Sequence, residues 1–309
     1  MMWMPDPVYS LGQNESRKEI ELLGSELRKH VSVLSENSTG RNNINEDNIT
    51  PAKDYITRKM ESFGLAPTFQ SYELYGDIYT NVIVDIAGIS NSNEVLVIGA
   101  HYDSVEGSPG ANDNASGVGA LIEIARYISE NPTYHGVRFI AFANEEPPYF
   151  QTEEMGSLVY ARSLPESSDK VIGMISIETI GYYTNVPNSQ KYPKLIDLFY
   201  PSTGDYIAFI GNLGSRTLVS ESIELFRKNS DVPSEGIASP AFVPGVSWSD
   251  HWSFWMGGYD AIMVTDTAPF RYEHYHKATD TPDKLNYEQY SKVVHGLMKT
   301  VEGLANNGV

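Results

Sequence analysis

The sequence predicts a single three-layer α/β/α domain over residues 1–309, with a mostly parallel central sheet and antiparallel edge strands. Apolar runs of about five to seven residues recur along the chain, which is typical of strands covered on both faces. Segments with helical spacing alternate with these runs, and this alternation favours one sheet between two helical layers. Several runs end at a histidine or a carboxylate, so polar chemistry is expected at the carboxyl ends of the strands.

The N-terminal part, residues 1–64, is predicted to be helical and to pack on the rest of the domain. Apolar residues recur at helical spacing over residues 18–34, and the polar stretch 35–48 then predicts a loop. Thr50 is the expected N-cap of a second helix that has Pro51 in its first turn and runs to about residue 63.

The remaining elements are predicted from the alternation and apolar runs typical of strands and from the spacing typical of helices. Alternating residues predict antiparallel edge strands at 68–75 and 80–87. Apolar runs predict strands at 95–98, 137–143, 171–177, 206–210 and 260–264. Helical spacing predicts helices at 115–128, 154–164, 217–228 and 286–304. Residues 185–205, rich in Pro, Asn, Ser, Lys and Tyr, predict an insertion loop.

Composition narrows the class of partner and ligand. The formal net charge of -18 argues against nucleic acid or an anionic membrane surface as a partner. There is no cysteine, so a metal would be held by His, Asp and Glu. No stretch approaches the roughly 18 apolar residues of a membrane span, and residues 1–10 lack the features of a signal peptide. We therefore expect a soluble protein, either cytoplasmic or exported after loss of a signal peptide; the sequence leaves this choice and the oligomeric state open.

Five residues at strand ends and loops form a candidate metal site. His101 ends one apolar run, and Asp113 lies twelve residues further on, in a glycine-flanked turn. Glu146 and Glu178 follow two later strands, and His276 lies in the loop after the last one. Two histidines and three carboxylates can hold two zinc ions if one carboxylate bridges them. Asp113 is the best bridge, because its tight turn lets the backbone approach the ions.

Three further residues are candidates for catalytic roles beside these ligands. Glu145 is adjacent to a ligand but points to another side of the chain, which suits a general base acting on a shared water. Asp103 can accept the free ring N–H of His101 and fix its tautomer. Tyr275 is a candidate hydrogen-bond donor to the developing oxyanion. His251 is expected to pack in the pocket wall, and the remaining histidines are expected to be structural or exposed.

Six segments occur in an order and spacing that resemble the co-catalytic zinc aminopeptidases of the bacterial leucyl aminopeptidase type, in the MH clan of metallopeptidases. The segments are His101–Ser104, Gly110–Gly117, Asn144–Glu146, Met155–Ser157, Ser249–His251 and Tyr275–His276 with Asp280–Thr281. The resemblance covers roughly His101 to the C-terminus and implies the zinc-exopeptidase fold.

The resemblance also implies roles for individual residues. Asp113 would bridge the two zinc ions, and Glu145 would be the base. His101 and Glu178 would belong to different metals, with Glu146 on one zinc and His276 on the other. The peptide bond between Asp113 and Asn114 would be cis.

One ligand departs from the family pattern. The family commonly has Asp where this chain has Glu178, whose side chain is one methylene longer. Glu can also bind zinc, so we expect either a weaker second metal or a different mode of carboxylate binding.

The resulting expectation is a zinc-dependent exopeptidase, an aminopeptidase that acts on peptides with a free N-terminus. A single-zinc acyltransferase similar to glutaminyl cyclases is the alternative from another reaction class, and the complete turn at residues 112–117 favours the peptidase. A carboxypeptidase of the same clan would need a basic clamp, for which Arg271 is the one nearby arginine. A receptor-like domain without activity would require missing ligands, and all five are present.

Overall fold

The computed structural model describes residues 15–308 except 38, 43, 45, 91, 194 and 195, so residues 1–10 lie outside it. An eight-stranded sheet runs through the molecule in the order β1-β2-β4-β3-β5-β8-β6-β7. The strands are β1 (Thr68–Leu74), β2 (Asp77–Ile86), β3 (Glu94–His101), β4 (Gly136–Phe142), β5 (Lys170–Glu178), β6 (Ile207–Gly211), β7 (Ser234–Ala238) and β8 (Ala261–Thr265).

Helices cover both faces of this sheet. They are α1 (Glu15–Leu34), α2 (Glu46–Ser62), α3 (Ala115–Glu130), α4 (Gly156–Ser163), α5 (Arg216–Asn229), α6 (His251–Met256), α7 (Ala268–Arg271) and α8 (Tyr287–Asn307). On one face, α1, α2, α3, α5 and α8 share a large apolar core with the sheet. On the other face, α4 and α6 enclose a smaller core built around Phe142, Tyr160 and Phe254. The predicted three-layer α/β/α fold class is confirmed.

The order of the strands in the sheet determines where the candidate site lies. Strands β4, β3, β5 and β8 are neighbours and parallel, so their carboxyl ends meet at one edge of the sheet. Residues 95–101 of β3 are buried without interruption, as expected for a central strand covered on both faces. The predicted strand ends at His101 and Glu178 are therefore brought to a common crevice.

Several element predictions need correction. Helix α2 begins at Glu46 rather than at Thr50, with Pro51 inside it, because the acidic residue Asp47 suits the positive end of the helix. Strand β2 is not an edge strand, since it pairs with both β1 and β4, and only β1 lies at that edge. Helix α4 begins at Gly156, not at residue 154. The sequence patterns predict none of the short elements β7, α6 and α7.

Residues 185–205 form no helix or strand among those that are described, as the insertion-loop prediction required. Across the described part of the chain, no helix combines the length and apolar character that a membrane span requires.

Candidate metal centre

The structure gathers the five predicted ligands at the carboxyl edge of the sheet in two groups. His101, Asp113 and Glu178 form one group, and Asp113, Glu146 and His276 form the other; within each group the ligand atoms lie within 4.8 Å of one another. Nε2 of His101 lies 3.4 Å from Oδ1 of Asp113 and 3.1 Å from Oε2 of Glu178. Nε2 of His276 lies 3.1 Å from Oδ2 of Asp113 and 3.3 Å from Oε2 of Glu146.

This grouping corrects the pairing that the family resemblance implied. His101 and Glu178 face the same point, and Glu146 shares the other point with His276. The reason lies in the sheet: β3 and β5 are adjacent and parallel with Gly99 opposite Ser176, so the ends of the two strands lie side by side. Asp113 contributes one oxygen to each group, which is the geometry of a bridging carboxylate.

The backbone around the ligands is held in unusual conformations. Asn144, Thr179 and His276 have φ values of 59°, 43° and 58°. Left-handed conformations of non-glycine residues cost of order 1–3 kcal/mol and persist where the surroundings hold them. Asn144 precedes the candidate base Glu145, and Thr179 follows the candidate ligand Glu178. His276 is itself a candidate ligand. The Asp113–Asn114 peptide bond is cis, as the resemblance implied.

The turn that carries Asp113 is fixed by buried polar side chains. Asp280 accepts hydrogen bonds from the backbone N–H groups of Asn112 and Asp113, at 2.9 and 3.1 Å, and from the Tyr272 hydroxyl at 2.7 Å. The Asn114 side chain donates to the Ile177 carbonyl and accepts from the N–H of Thr179. These bonds couple the position of Asp113 to the end of β5, where Glu178 lies.

Asp103 has a wider role than the predicted contact with His101. Its Oδ1 lies 3.3 Å from Nδ1 of His101 and also accepts the N–H of Glu145 at 3.1 Å. Its Oδ2 accepts the N–H of Glu146 at 3.0 Å. One buried carboxylate thus orients a ligand of the first group and the backbone of a ligand of the second.

The ionisation of the site reflects burial and crowding. Burial raises the pKa of Glu145 well above its usual range, and the neighbouring charges of Glu178 and Glu146 add to this despite His101. Burial also raises the pKa of Glu178 to about 7. Burial lowers the pKa of His276, but the carboxylates of Asp113 and Glu146 outweigh this effect and raise the pKa to about 11. The crowded carboxylates of this crevice therefore have too little positive charge nearby to compensate all of them.

The donor set fits a metal. Asp113 Oδ2 and His276 Nε2 are buried, and although they lie 3.1 Å apart, neither makes a hydrogen bond of acceptable geometry in the described structure. Imidazole nitrogens and carboxylate oxygens are ligands that zinc prefers in the absence of thiolates. Four carboxylates, those of Asp113, Glu145, Glu146 and Glu178, face only two imidazoles, and bound cations would offset this surplus of negative charge. His101, Asp113 and Glu178 could hold one ion, and Asp113, Glu146 and His276 the other.

Tyr275 flanks the second group. Its ring stacks on that of His276 with centroids 3.8 Å apart. Burial raises the pKa of the Tyr275 hydroxyl well above its usual range, and Asp113 and Glu146 raise it further. The hydroxyl therefore stays protonated and can donate a hydrogen bond.

The other predicted residues occupy structural positions. His251 is buried, and its Nε2 contacts the Val246 carbonyl at 2.8 Å, in keeping with the expected place in a pocket wall. Arg271 is also buried, and its guanidinium donates to Gln190 Oε1 and to the carbonyls of Gly204 and Tyr206. Its Nε and Nη1 are thus occupied within the fold, whereas the buried Nη2 has no hydrogen-bond partner among the described residues.

Two kinds of residue at the site could not be identified from the sequence: the side chains that hold the ligands and their turn in place, and a buried arginine next to the site. Asp280 and Asn114 appeared only within matching segments, and nothing local indicated which backbone groups they would bind. Ser249 likewise donates to Glu178 Oε2 at 2.8 Å. Arg41 lies in the polar stretch that was predicted to be a loop, yet it is buried and bonds to the carbonyls of Tyr102 and Gly110 next to the site.

Comparisons with known proteins place the chain among relatives of similar sequence and fold. The Escherichia coli K12 protein YfbL, described as uncharacterized, is 37% identical over 282 residues, covering 88% of this chain and 86% of that protein. The LapA aminopeptidase structure from Legionella pneumophila has a TM-score of 0.72 at 18% identity, covering 99% of this chain and 79% of that one. A Fimbriiglobus ruber glutaminyl cyclase has a TM-score of 0.68 at 18% identity, with 97% and 99% covered.

The two solved structures share the fold with this chain. The family assignment rests on a separate comparison, in which residues 81–301, most of the chain and all of the gathered ligands, match the model of Peptidase family M28. The metallopeptidase resemblance is confirmed, and with it the prediction of an enzyme: the chain belongs to peptidase family M28.

Proposed function

We propose that this protein is a zinc-dependent aminopeptidase that removes the N-terminal residue from peptides and uses two zinc ions per chain. The observation that carries the proposal is the carboxylate of Asp113, whose two oxygens face two separate groups of ligand atoms. A single-metal enzyme would need only one of these groups.

The metals and the side chains divide the chemistry between them. Zinc held by His101, Asp113, Glu146, Glu178 and His276 would lower the pKa of water at the site and polarise the scissile carbonyl. Ser249 donates to Glu178, and Asp103 holds the backbone of residues 145 and 146, so the ligands are fixed before substrate arrives.

Glu145 is the proposed general base. Its Oε2 lies 3.9 Å from Nε2 of His101, so the carboxylate faces the ligand groups without belonging to either. Burial raises its pKa, which brings it closer to the value at which a carboxylate can take a proton from water and return it to the leaving amine. Tyr275 is the proposed donor to the oxyanion that develops on the carbonyl.

A free N-terminus is the proposed recognition element of the substrate. The whole chain has a net charge of -18. This charge favours a substrate that carries an ammonium group. A carboxypeptidase is less well supported, because Arg271 is buried and its Nε and Nη1 are engaged with Gln190, Gly204 and Tyr206.

Glutaminyl cyclase remains the second candidate, since a cyclase shares the fold at nearly full coverage of both chains. One experiment separates the two functions. Purified protein saturated with zinc is incubated with leucyl and glutaminyl peptides and with their N-acetylated forms. Release of the N-terminal residue from free but not acetylated peptides, with two zinc ions by elemental analysis, supports the aminopeptidase. Conversion of glutaminyl peptides to a cyclised product at one zinc per chain would replace this proposal with the cyclase.

A further inference from the structure

A pocket adjoins the proposed zinc site and is continuous with it. Glu178, Thr179 and Tyr275 belong both to the site region and to the pocket wall, and the pocket contains about 770 Å³ free of protein atoms, including its open mouth. Most of its lining is aromatic or aliphatic, with Tyr192, Tyr200, Tyr206, Trp248 and Phe270 as the ring-bearing members besides Tyr275. Such a pocket is placed to receive a side chain of a substrate whose scissile bond lies at the metals.

The floor of the pocket is a row of residues across four neighbouring strands. Glu178 of β5 is opposite Thr265 of β8, Thr265 is opposite Ala208 of β6, and Ala208 is opposite Glu235 of β7. Directly paired residues point to the same face of a sheet, and neighbouring strands lie about 4.8 Å apart, so the Cα atoms of Glu178 and Glu235 are roughly 14 Å apart. The small residues Ala208 and Thr265 leave a trough between two carboxylates.

The carboxylate at the far end of this trough has no partner among the residues that the structure describes. Glu235 is half-buried, and within the described part of the chain it makes no hydrogen bond or ion pair. The positive charge of Arg227 opposes the rise in the pKa of Glu235. The Arg227 guanidinium, however, is bonded to Ser234. Ser234 precedes Glu235 in β7, so its side chain points to the other face of the sheet. Burial raises the pKa of Glu235, an indication that its charge is incompletely compensated.

The aromatic groups around Glu235 leave its carboxylate available to a ligand. The Tyr200 hydroxyl donates to the Gly236 carbonyl, and the hydroxyls of Tyr192 and Tyr206 contact each other at 2.8 Å. These residues line the pocket while their hydroxyl groups are occupied, and the Arg271 guanidinium already lies over the Tyr206 ring at 4.4 Å from its centroid, which leaves the rings of Tyr192 and Tyr200 for a ligand. A carboxylate among aromatic rings is a favourable environment for an organic cation, through charge pairing and cation–π contact.

We propose that this pocket receives the side chain of the substrate's N-terminal residue and that Glu235 selects the cationic side chains of lysine and arginine. The inference rests on the proposed aminopeptidase function. An extended lysine or arginine side chain and its hydrogen bond to a carboxylate span roughly 9–10 Å. This length fits the trough when the substrate backbone lies over the end at Glu178. The methylene groups then lie against Ala208 and the rings.

The test compares lysine with norleucine, which has a similar shape without the charge. Values of kcat/KM are measured for the p-nitroanilides of lysine, arginine and norleucine with the zinc-loaded enzyme. We expect a lysine-to-norleucine ratio of at least about 10, and a fall of this ratio by about 10–50-fold in Glu235→Gln. Glu235→Lys should reverse the preference and favour an N-terminal glutamate. Glu224→Gln, at an exposed carboxylate paired with Lys228, is the matched control and should leave the ratio unchanged.

Failure takes two distinguishable forms. Turnover of norleucine at least equal to that of lysine in the wild-type enzyme, or a ratio that changes less than twofold in Glu235→Gln, would overturn the role of Glu235 while leaving the aminopeptidase in place. Absence of turnover with all free aminoacyl substrates would overturn both proposals. A thermal unfolding midpoint of Glu235→Gln close to that of the wild type verifies that a changed ratio reflects the pocket and not the fold.

Discussion

The substitution Asp103→Asn tests whether one buried carboxylate positions both ligand groups. Asp103 uses separate oxygens for the N–H groups of Glu145 and Glu146, at 3.1 and 3.0 Å. Asparagine keeps one oxygen, so its NH2 group must face one of these N–H donors. A buried donor that loses its partner costs about 1–3 kcal/mol. The free energy of unfolding of the metal-free protein should fall by this amount.

The larger effect of Asp103→Asn is expected in zinc binding. The carboxylate also lies 3.3 Å from Nδ1 of His101, so its loss disturbs a ligand of one group and the backbone of a ligand of the other. Changes of this kind beyond the ligands lower metal affinity by roughly 10–100-fold. Both zinc-binding steps should weaken in a competition titration against a chromophoric chelator.

A matched control separates this effect from a general change of charge. Asp85→Asn removes an exposed carboxylate that is paired with Arg138 at 2.5 Å, away from the site. It should change zinc affinity by less than about twofold, since exposed pairs contribute little. If Asp103→Asn binds zinc as tightly as the wild type, the argument that Asp103 organises the two groups is wrong.

Three further predictions concern single residues. Glu145→Gln should lower kcat by about 10²–10⁴-fold while zinc content stays at the wild-type level; activity near that of the wild type would remove Glu145 from the mechanism. Glu178→Ala should lose one zinc ion selectively and most activity, whereas Glu178→Asp should retain part of both; two ions and full activity in the alanine variant would place the fifth ligand elsewhere. Burial lowers the pKa of His251 to about 4. The unfolded chain therefore takes up a proton before the folded one as the pH falls, and about 2 kcal/mol of stability should be lost between pH 7.5 and 5. Urea unfolding of His251→Gln should lack this part of the pH dependence, while His274→Gln should keep it; equal losses in all three proteins would contradict the assignment.

The parts of the site that the sequence predicts are those carried by strong local signals. An apolar run that ends at His101 or before Glu145 is visible without knowledge of any contact. The grouping of the ligands was not visible in this way, because it depends on which strands are neighbours. β3 and β5 are adjacent in the sheet although β4 lies between them in the chain. The strand-end pattern indicated the ligands, but their pairing follows from the order of the strands in the sheet.

The supporting residues were beyond the reach of local patterns. Asp280 binds the N–H of Asp113 across 167 positions of sequence, and nothing around Asp280 specifies that partner. Strand β7 is only five residues long and contains Gly236, so its apolar pattern is too weak to indicate a strand. Glu235 was therefore not placed in the sheet, and its relation to Glu178 became apparent only through the register of four strands.

Arg41 shows that the N-terminal helices belong to the metal centre. Its guanidinium donates to the carbonyls of Leu34, at the end of α1, and of Tyr102, Pro109 and Gly110 around the site. Burial lowers the pKa of Arg41 to about 10, so the group stays charged at neutral pH. Gly110 is required there, because its φ is +64° and an added Cβ would lie 2.3 Å from the Asp113 carbonyl. Arg41 thus ties the turn that presents Asp113 to the end of α1, so the segment after α1 is a structural component of the proposed active site.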